Sequence, residues 1–378
     1  MVSPLGSGLT AFWDGLMAGR SAVAPIRRFA ADDLDPAAAA EVDAATADAD
    51  RVGVFALRAA AEALESAALP PGTVDPTRLG VALGTTLGGM EIFEAWDAAA
   101  AASVAPPPQL ARVPYFAPAA RLAETIGACG PVMTTQLACA SGTAAVALAA
   151  EWVRAGRADV VLAGGSDLLC RFVVAGFNCL RATAEEARPF DRRRRGLVLG
   201  EGAAVVIVEE AGHAVRRGAP VRARVLGAGA AADAVHMTAP DREGGGVQRA
   251  VLAALADAGL APSAVDFVSA HGTGTPFNDA MEAAALVRVF GERTAAVNSI
   301  KGAIGHTLGA AGAFEAVLCT EVLGRGVVPA TVGLDEIDPA CAGLDLVHGE
   351  ARQREVHVAL STSSGFAGAN AVLVLGRA

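Results

Sequence analysis

The chain has 378 residues, 53% hydrophobic, 19% charged and only 4% aromatic, with 43 glycines and a formal charge of −10. That much apolar mass excludes a disordered chain, and acidity with a single tyrosine argues against a nucleic-acid binder, which needs aromatic platforms beside a basic groove. No apolar run reaches the length of a membrane span and no basic-then-apolar leader opens the chain, so a cytoplasmic protein without a membrane partner is expected.

In chain order, short apolar runs alternate with long Ala/Leu-rich stretches, the pattern of an α/β chain with buried parallel strands. Residues 30–50 and 96–108 are Ala/Asp- or Ala/Pro-rich without periodicity and read as surface connections. A strand over 79–84 runs into Thr85-Thr86-Leu87-Gly88-Gly89, and later PVMTTQLACASG leads into the helix TAAVALAAEWVRAG. The second half repeats this order: VDFVSA runs into His271-Gly272-Thr273-Gly274-Thr275-Pro276, and AAVNSIKGAIGH leads into LGAAGAFEAVLCTEVLGRG. Each half closes on apolar strands, LVLGEGAAVVIVEE and VALSTSSGFAGANAVLVLG. This predicts a degenerate duplication joined near 211–220, with units 1–216 and 217–378. The small-residue helix in each half is expected to be buried on every side, between sheets.

Six cysteines (Cys129, Cys139, Cys170, Cys179, Cys319, Cys341) show no Cys-x-x-Cys spacing, so neither a disulfide framework nor a metal site is expected. Cys139 stands apart because a strand pattern gives way to a helix pattern around it. On such an elbow the helix dipole and free N–H groups favour thiolate, making it the nucleophile candidate; an ordinary buried cysteine is the alternative. Of 30 basic residues only Lys301 is lysine, which points to a position needing a compact ammonium. His213, His236, His348 and His357 have ordinary surroundings, whereas His271 and His306 each follow an apolar strand and precede a Gly-rich loop. Two neutral imidazoles near one thiolate can donate to a carbonyl oxygen and stabilise an enolate. Lys301 and Glu315 are expected to form a buried ion pair that orients His306; the apolar neighbours of Glu315 disfavour a solvated helix face.

ACASG around Cys139, HGTGTPFND at 271–279 and NSIKGAIGHTLGAAGAFE at 298–315 resemble the elongating β-ketoacyl-[acyl-carrier-protein] synthases, type II ketosynthases of the thiolase-like superfamily. So do ADVVLAGGSD (158–167), RPFDRRRRGLVLGEGA (188–203), PATVGLDEIDP (329–339) and SSGFAGAN (363–370), all in the family's order. The resemblance implies a thiolase-like α/β fold, two duplicated halves in five layers, αβαβα. It also implies decarboxylative Claisen condensation of an acyl-enzyme thioester with malonyl-[acyl-carrier-protein], giving a 3-oxoacyl-[acyl-carrier-protein] in fatty-acid or polyketide assembly. Cys139 would carry the acyl chain, and His271 and His306 would hold the malonyl thioester carbonyl. The N–H groups of Cys139 and Phe366 would form the oxyanion hole, and Thr273 and Thr275 would contact the pantetheine arm. Lys301, Glu315, Asp279 and Glu282 would support the site; Phe177 would line the acyl pocket and Phe366 would gate it. No resident cofactor is implied, the phosphopantetheine arriving on the carrier protein. The implied partners are that carrier and a second subunit, in a homodimer or a heterodimer.

Close relatives separate within the sequence. Thiolases use a second cysteine in the closing segment, which has none here; initiating synthases lack the histidine supplied by His306; chain-length-factor subunits replace the nucleophile. A non-elongating partner subunit is the rival reading, and a thioester hydrolase or acyltransferase a remote third. Departures from the family also carry expectations. The opening strand and T-G-x-G turn are missing before Val2, which predicts the loss of a central strand, a natural start upstream of Met1 and poor solubility of this form. The segments before Arg188 and around 115–130 are short. Ser364 stands in place of a phenylalanine and Ala367 in place of a glycine, predicting a wider, more polar pocket mouth, a stiffer gate loop and acyl chains other than plain saturated ones. Arg181 and Arg192 to Arg195 are candidates for docking an acidic carrier, the alternative being a solvated face.

Overall fold

The computed structural model describes residues 1–43, 48–105 and 108–378. Two six-stranded sheets carry the architecture. The first contains β1 (Val2–Ser3), β2 (Leu79–Gly84), β3 (Val132–Thr135), β4 (Val160–Asp167) and β5 (Gly202–Glu209). The second contains β6 (Ala223–Ala232), β7 (Phe267–Ser269), β8 (Ala296–Asn298), β9 (Val358–Gly365) and β10 (Ala369–Arg377). Their spatial orders match, β1-β5-β4-β2-β3 and β6-β10-β9-β7-β8, each with a two-residue strand added at one edge (Gly6–Ser7 and Asp345–Leu346). In both sheets the last strand is antiparallel to its neighbours, while the three strands beyond it (β4, β2, β3 and β9, β7, β8) run parallel. β2 and β4 are buried along their whole lengths, which explains their unbroken apolar runs in place of alternation.

Helices α1 (Arg51–Ser66) and α2 (Ala117–Ile126) cover the outer face of the first sheet, where Phe55 and Leu122 pack with Val81 and Leu162. Between the sheets lie α3 (Ser141–Arg154) and α7 (Ala311–Arg325). Helix α4 (Arg171–Cys179) follows β4, and α5 (Gly245–Ala258) and α6 (Pro276–Phe290) cover the second sheet, with Val251 and Leu286 against Val268 and Leu360. Phe314 and Leu318 of α7 share one core with Ala204 of the first sheet and Ala359 and Leu375 of the second. Truncating the fully buried Phe314 to alanine would cost about 3–5 kcal/mol. The result is the five-layer helix–sheet–helix–sheet–helix sandwich of a thiolase-like fold.

The two central helices meet at their N-termini through reciprocal glycines. A Cβ on Gly142 would lie 2.9 Å from the Ala313 nitrogen, and one on Gly312 would lie 1.9 Å from Thr143 Oγ1. Only hydrogen fits there, so the loop entering each helix is drawn up against its counterpart.

Three expectations are corrected. The first strand is not absent: Val2–Ser3 is a strand, paired with β5 at Ala203. Nor is its place central, since β1 lies outside β5 towards the edge of the sheet, as β6 lies outside β10. β6 pairs with β10 from Ala223–Arg377 to Ala232–Ala369, whereas among the described residues β5 beyond Ala203 has no partner on that side. Finally, the supposed surface connections hold regular structure. A helix spans Met90–Ala101, because alanine favours helix even without an apolar stripe. Ala38–Ala40 is a strand fixed by pairing with Val23–Pro25 and Leu199–Gly200, a tertiary effect that local composition does not carry. Among the described residues, no helix is long and apolar enough to cross a membrane.

Candidate active site

Cys139 sits on the elbow between β3 and α3, 6% exposed. The preceding residue, Ala138, has φ +48°, a left-handed conformation that strains a side chain with a Cβ by about 1–2 kcal/mol. Ser141 holds the turn: its hydroxyl donates to the Ala138 carbonyl (2.6 Å) and accepts the Leu137 N–H (2.8 Å). The expected thiolate is corrected. Burial pushes the Cys139 thiol up to about 12; the Lys301 ammonium pulls it back, while the Asp167 and Glu315 carboxylates push it further up. Desolvation outweighs the helix terminus, and the resting group is a thiol.

His271 and His306 are both buried, their ring centroids 5.2 Å apart and their planes at 84°. Burial drives both imidazoles well below their usual pKa, and Lys301 repels a proton from each, so both are neutral at pH 7. Nδ1 of His306 accepts the Leu308 N–H (3.2 Å), which leaves its ring proton on Nε2 as a donor. Nδ1 of His271 is buried with no protein partner. The backbone of His271 is held instead, its N–H donating to Glu282 (2.7 Å) and Thr362 (3.1 Å).

The supporting residues converge as a network. Lys301 Nζ meets Glu315 Oε1 at 2.5 Å, both side chains at most 3% exposed. Glu315 also accepts from Ser363, whose hydroxyl lies 2.7 Å from that of Thr143 across the two halves. Asp279 accepts the N–H groups of Thr273, Gly274 and Phe190, and Glu282 those of His271 and Gly272, so α6 fixes the loop 271–275. Burial raises both acids, Glu282 to about 7. Thr273 and Thr275 face each other, hydroxyl to hydroxyl, at 3.0 Å.

Phe366 stacks on Phe177 of α4, centroids 5.4 Å apart and planes at 24°. Gly365 presses on the nucleophile loop: a Cβ there would lie 2.9 Å from the Leu137 carbonyl oxygen and 3.1 Å from the Cys139 nitrogen. The expectation that Ser364 makes the mouth more polar is corrected, because its hydroxyl is occupied by Asn370 Oδ1 (2.8 Å). Asn370 in turn donates to Asp233 (2.7 Å), and the Ala367 N–H donates to the Met237 carbonyl (2.7 Å). Ala367 has φ +62°, the strained conformation its lost glycine would tolerate.

Most of the arginine run is also reassigned. Arg192 pairs with Glu336, Arg193 with Asp191 and Asp335, and Arg194 with Asp338 and the carbonyls of Thr275 and Pro276. These ties brace the loops beneath the site. Arg181, Arg192, Arg193 and Arg195 are exposed, the middle two within their ion pairs.

Sequence reasoning missed Asp167, Thr143, Ser363 and the part played by Thr362. Asp167 was legible as an acid ending an apolar strand. The hydroxyl residues carried no signal, since their partners lie in the other half or far along the chain.

A buried thiol on a strand–helix elbow, two neutral histidines, and a lysine–glutamate pair at the meeting point of duplicated halves define a condensing-enzyme type of site on a thiolase-like fold. The chain belongs to the β-ketoacyl synthase family: residues 1–214 match the model of its N-terminal domain and 222–335 that of its C-terminal domain. It is 37% identical to 3-oxoacyl-[acyl-carrier-protein] synthase 2 of Coxiella burnetii, covering 100% of this chain and 96% of that one. It is 38% identical to the tetracenomycin polyketide synthase ketoacyl synthase alpha subunit of Streptomyces glaucescens, covering 99% and 95%. Among solved structures, the ishigamide ketosynthase/chain length factor superposes with a TM-score of 0.95 at 35% identity, over 100% of this chain and 97% of that one. A type II polyketide synthase acyl-carrier protein in complex with its ketosynthase bound to the hexaketide gives 0.91 at 31%, over 100% and 97%.

Proposed function

We propose that this chain is the catalytic ketosynthase of a type II fatty-acid or polyketide system, elongating an acyl chain with malonyl-[acyl-carrier-protein]. The observation that carries this reading is the pair of neutral, edge-to-face imidazoles at the loop that meets the Cys139 elbow. In the first step the Cys139 sulfur attacks the acyl thioester, and its proton passes to the departing pantetheine sulfur. In the second, His306 Nε2–H and the His271 ring donate to the malonyl thioester carbonyl as the C–C bond to CO₂ breaks. The electron pair becomes an enolate, whose carbon attacks the acyl-Cys139 carbonyl. Charge on that oxygen falls to the N–H groups of Cys139 and Phe366, and the Cys139 sulfur leaves and regains a proton. Thr273 and Thr275 line the pantetheine approach, and Phe177 and Phe366 wall the acyl pocket.

The reaction calls for no resident cofactor, the phosphopantetheine being part of the substrate. Arg181 and Arg195, both exposed, suit an acidic carrier protein, and a second ketosynthase-like subunit, identical or not, is the oligomeric partner. Six unpaired cysteines suit a reducing cytoplasm. The aromatic Phe177–Phe366 wall, with no free Ser364 donor, suits unsaturated or aryl acyl chains over saturated ones. The test is acyl loading followed by product analysis with malonyl carrier protein. Wild type forms the 3-oxoacyl carrier and Cys139→Ala forms none; full condensation by Cys139→Ala would sink the mechanism.

A further inference from the structure

Among the buried carboxylates that the mechanism does not use, Asp167 contacts the loops around the nucleophile and His306. Asp167 ends β4, wholly buried, and accepts four hydrogen bonds. Oδ1 takes the Thr85 hydroxyl (2.9 Å) and the Leu87 N–H (3.0 Å); Oδ2 takes the Thr86 N–H (2.7 Å) and the Gly309 N–H (2.6 Å). Thr86 in turn aims its hydroxyl at the Ala138 carbonyl, at the long distance of 3.4 Å, beside Cys139. Gly309 stands three residues after His306, in the turn Leu308–Ala310 that opens α7. One side chain therefore ties the loop after β2, the nucleophile elbow and the histidine loop, and so joins the two halves.

Two features show that these loops need holding. Ala138 and Leu308 both have left-handed φ, +48° and +53°, and such strain persists only where surrounding contacts over-determine the backbone. The fit at Gly309 is also tight, since a Cβ there would lie 2.6 Å from Asp167 Oδ2 and 2.7 Å from the Thr86 nitrogen.

We propose that Asp167 is a positioning residue for condensation, clamping the His306 loop of the second half onto the Cys139 loop of the first. It touches no reacting atom. Its contribution is the relative placement of thiol and imidazole, and a misplacement of about 1 Å can cost on the order of 100-fold in rate. The inference rests on the ketosynthase reading.

The test uses the full chain with Asp167→Ala, Asp167→Asn and Gly309→Ala. In Asp167→Asn the amide oxygen can keep Thr86 and Gly309 while its nitrogen donates to Thr85, so only the Leu87 N–H is lost. We expect Asp167→Ala to lower kcat for malonyl decarboxylation by about 10- to 100-fold with KM changed less than about threefold. Gly309→Ala should do the same, the two together should be non-additive, and Asp167→Asn should recover most of the loss. A second readout is independent of turnover: iodoacetamide alkylation of Cys139 followed against pH. Removing the Asp167 charge in Asp167→Asn should shift that profile to lower pH, because the carboxylate opposes ionisation of the thiol. A folded Asp167→Ala protein with wild-type decarboxylation overturns the proposal, as does an unshifted alkylation profile in Asp167→Asn. If wild type itself fails to decarboxylate malonyl carrier, the ketosynthase reading falls, while the alkylation profile still judges Asp167.

Discussion

Replacing Lys301 with methionine removes the only ammonium side chain while keeping most of its apolar volume. The ion pair it breaks is buried on both sides, with Glu315 left facing only serine hydroxyls such as that of Ser363. Removing one partner of such a pair costs about 3–5 kcal/mol, because the remaining charge is stranded in a low-dielectric interior. Burial already raises the Glu315 carboxyl and Lys301 lowers it, so without the lysine it rises further. A carboxyl raised above its unfolded value weakens the fold increasingly as pH climbs from the unfolded pKa through the folded one. The loss in Lys301→Met should therefore be small near pH 5 and larger at pH 8. Lys301 also favours the Cys139 thiolate, so acyl loading should slow as well. The assay is thermal unfolding at both pH values for wild type, Lys301→Met and Lys301→Met/Glu315→Leu, with acyl loading measured alongside. The double variant, carrying no stranded charge, should regain most of the stability but not the loading rate. A single variant destabilised by less than about 1 kcal/mol at both pH values, or a double variant with restored loading, would refute the argument.

Three further outcomes are expected. Glu282, raised by burial to about 7 from its ordinary 4.5, weakens the fold as pH rises between those values. The unfolding midpoint of Glu282→Gln relative to wild type should therefore climb from pH 5 to pH 7.5, and a flat difference would contradict this. Ala367→Gly should relieve about 1 kcal/mol of left-handed strain and loosen the Phe366 gate, read as a higher melting temperature with faster acyl loading. Amides of β9 and β10, each paired on both sides within the second sheet, should exchange with deuterium far more slowly than those of the largely exposed helix Met90–Ala101; equal protection would contradict this.

The sequence by itself determined the candidate site residues and the duplicated plan. Cys139, His271, His306, Lys301 and Glu315 were legible because each lies in a short local pattern, a strand end, a glycine-rich loop or a small-residue helix, and local patterns survive in one dimension. The repeat of strand, loop and helix likewise fixed the α/β plan. What only the tertiary structure decided were properties set by distant neighbours. The thiol is protonated because layers from both halves exclude water, a desolvation no helix terminus offsets. The arginine run is mostly braced by acids about 140 residues away, which a charge count cannot reveal. Ser364 meets Asn370, and Asp167 meets Gly309, only because sheet pairing and the contact of the central helices bring them together. The position of the first strand was misjudged for the same reason. Strand order is a property of the assembled sheet, and β1 takes its place through Val2 pairing with Ala203, a partner far along the chain that no local pattern names.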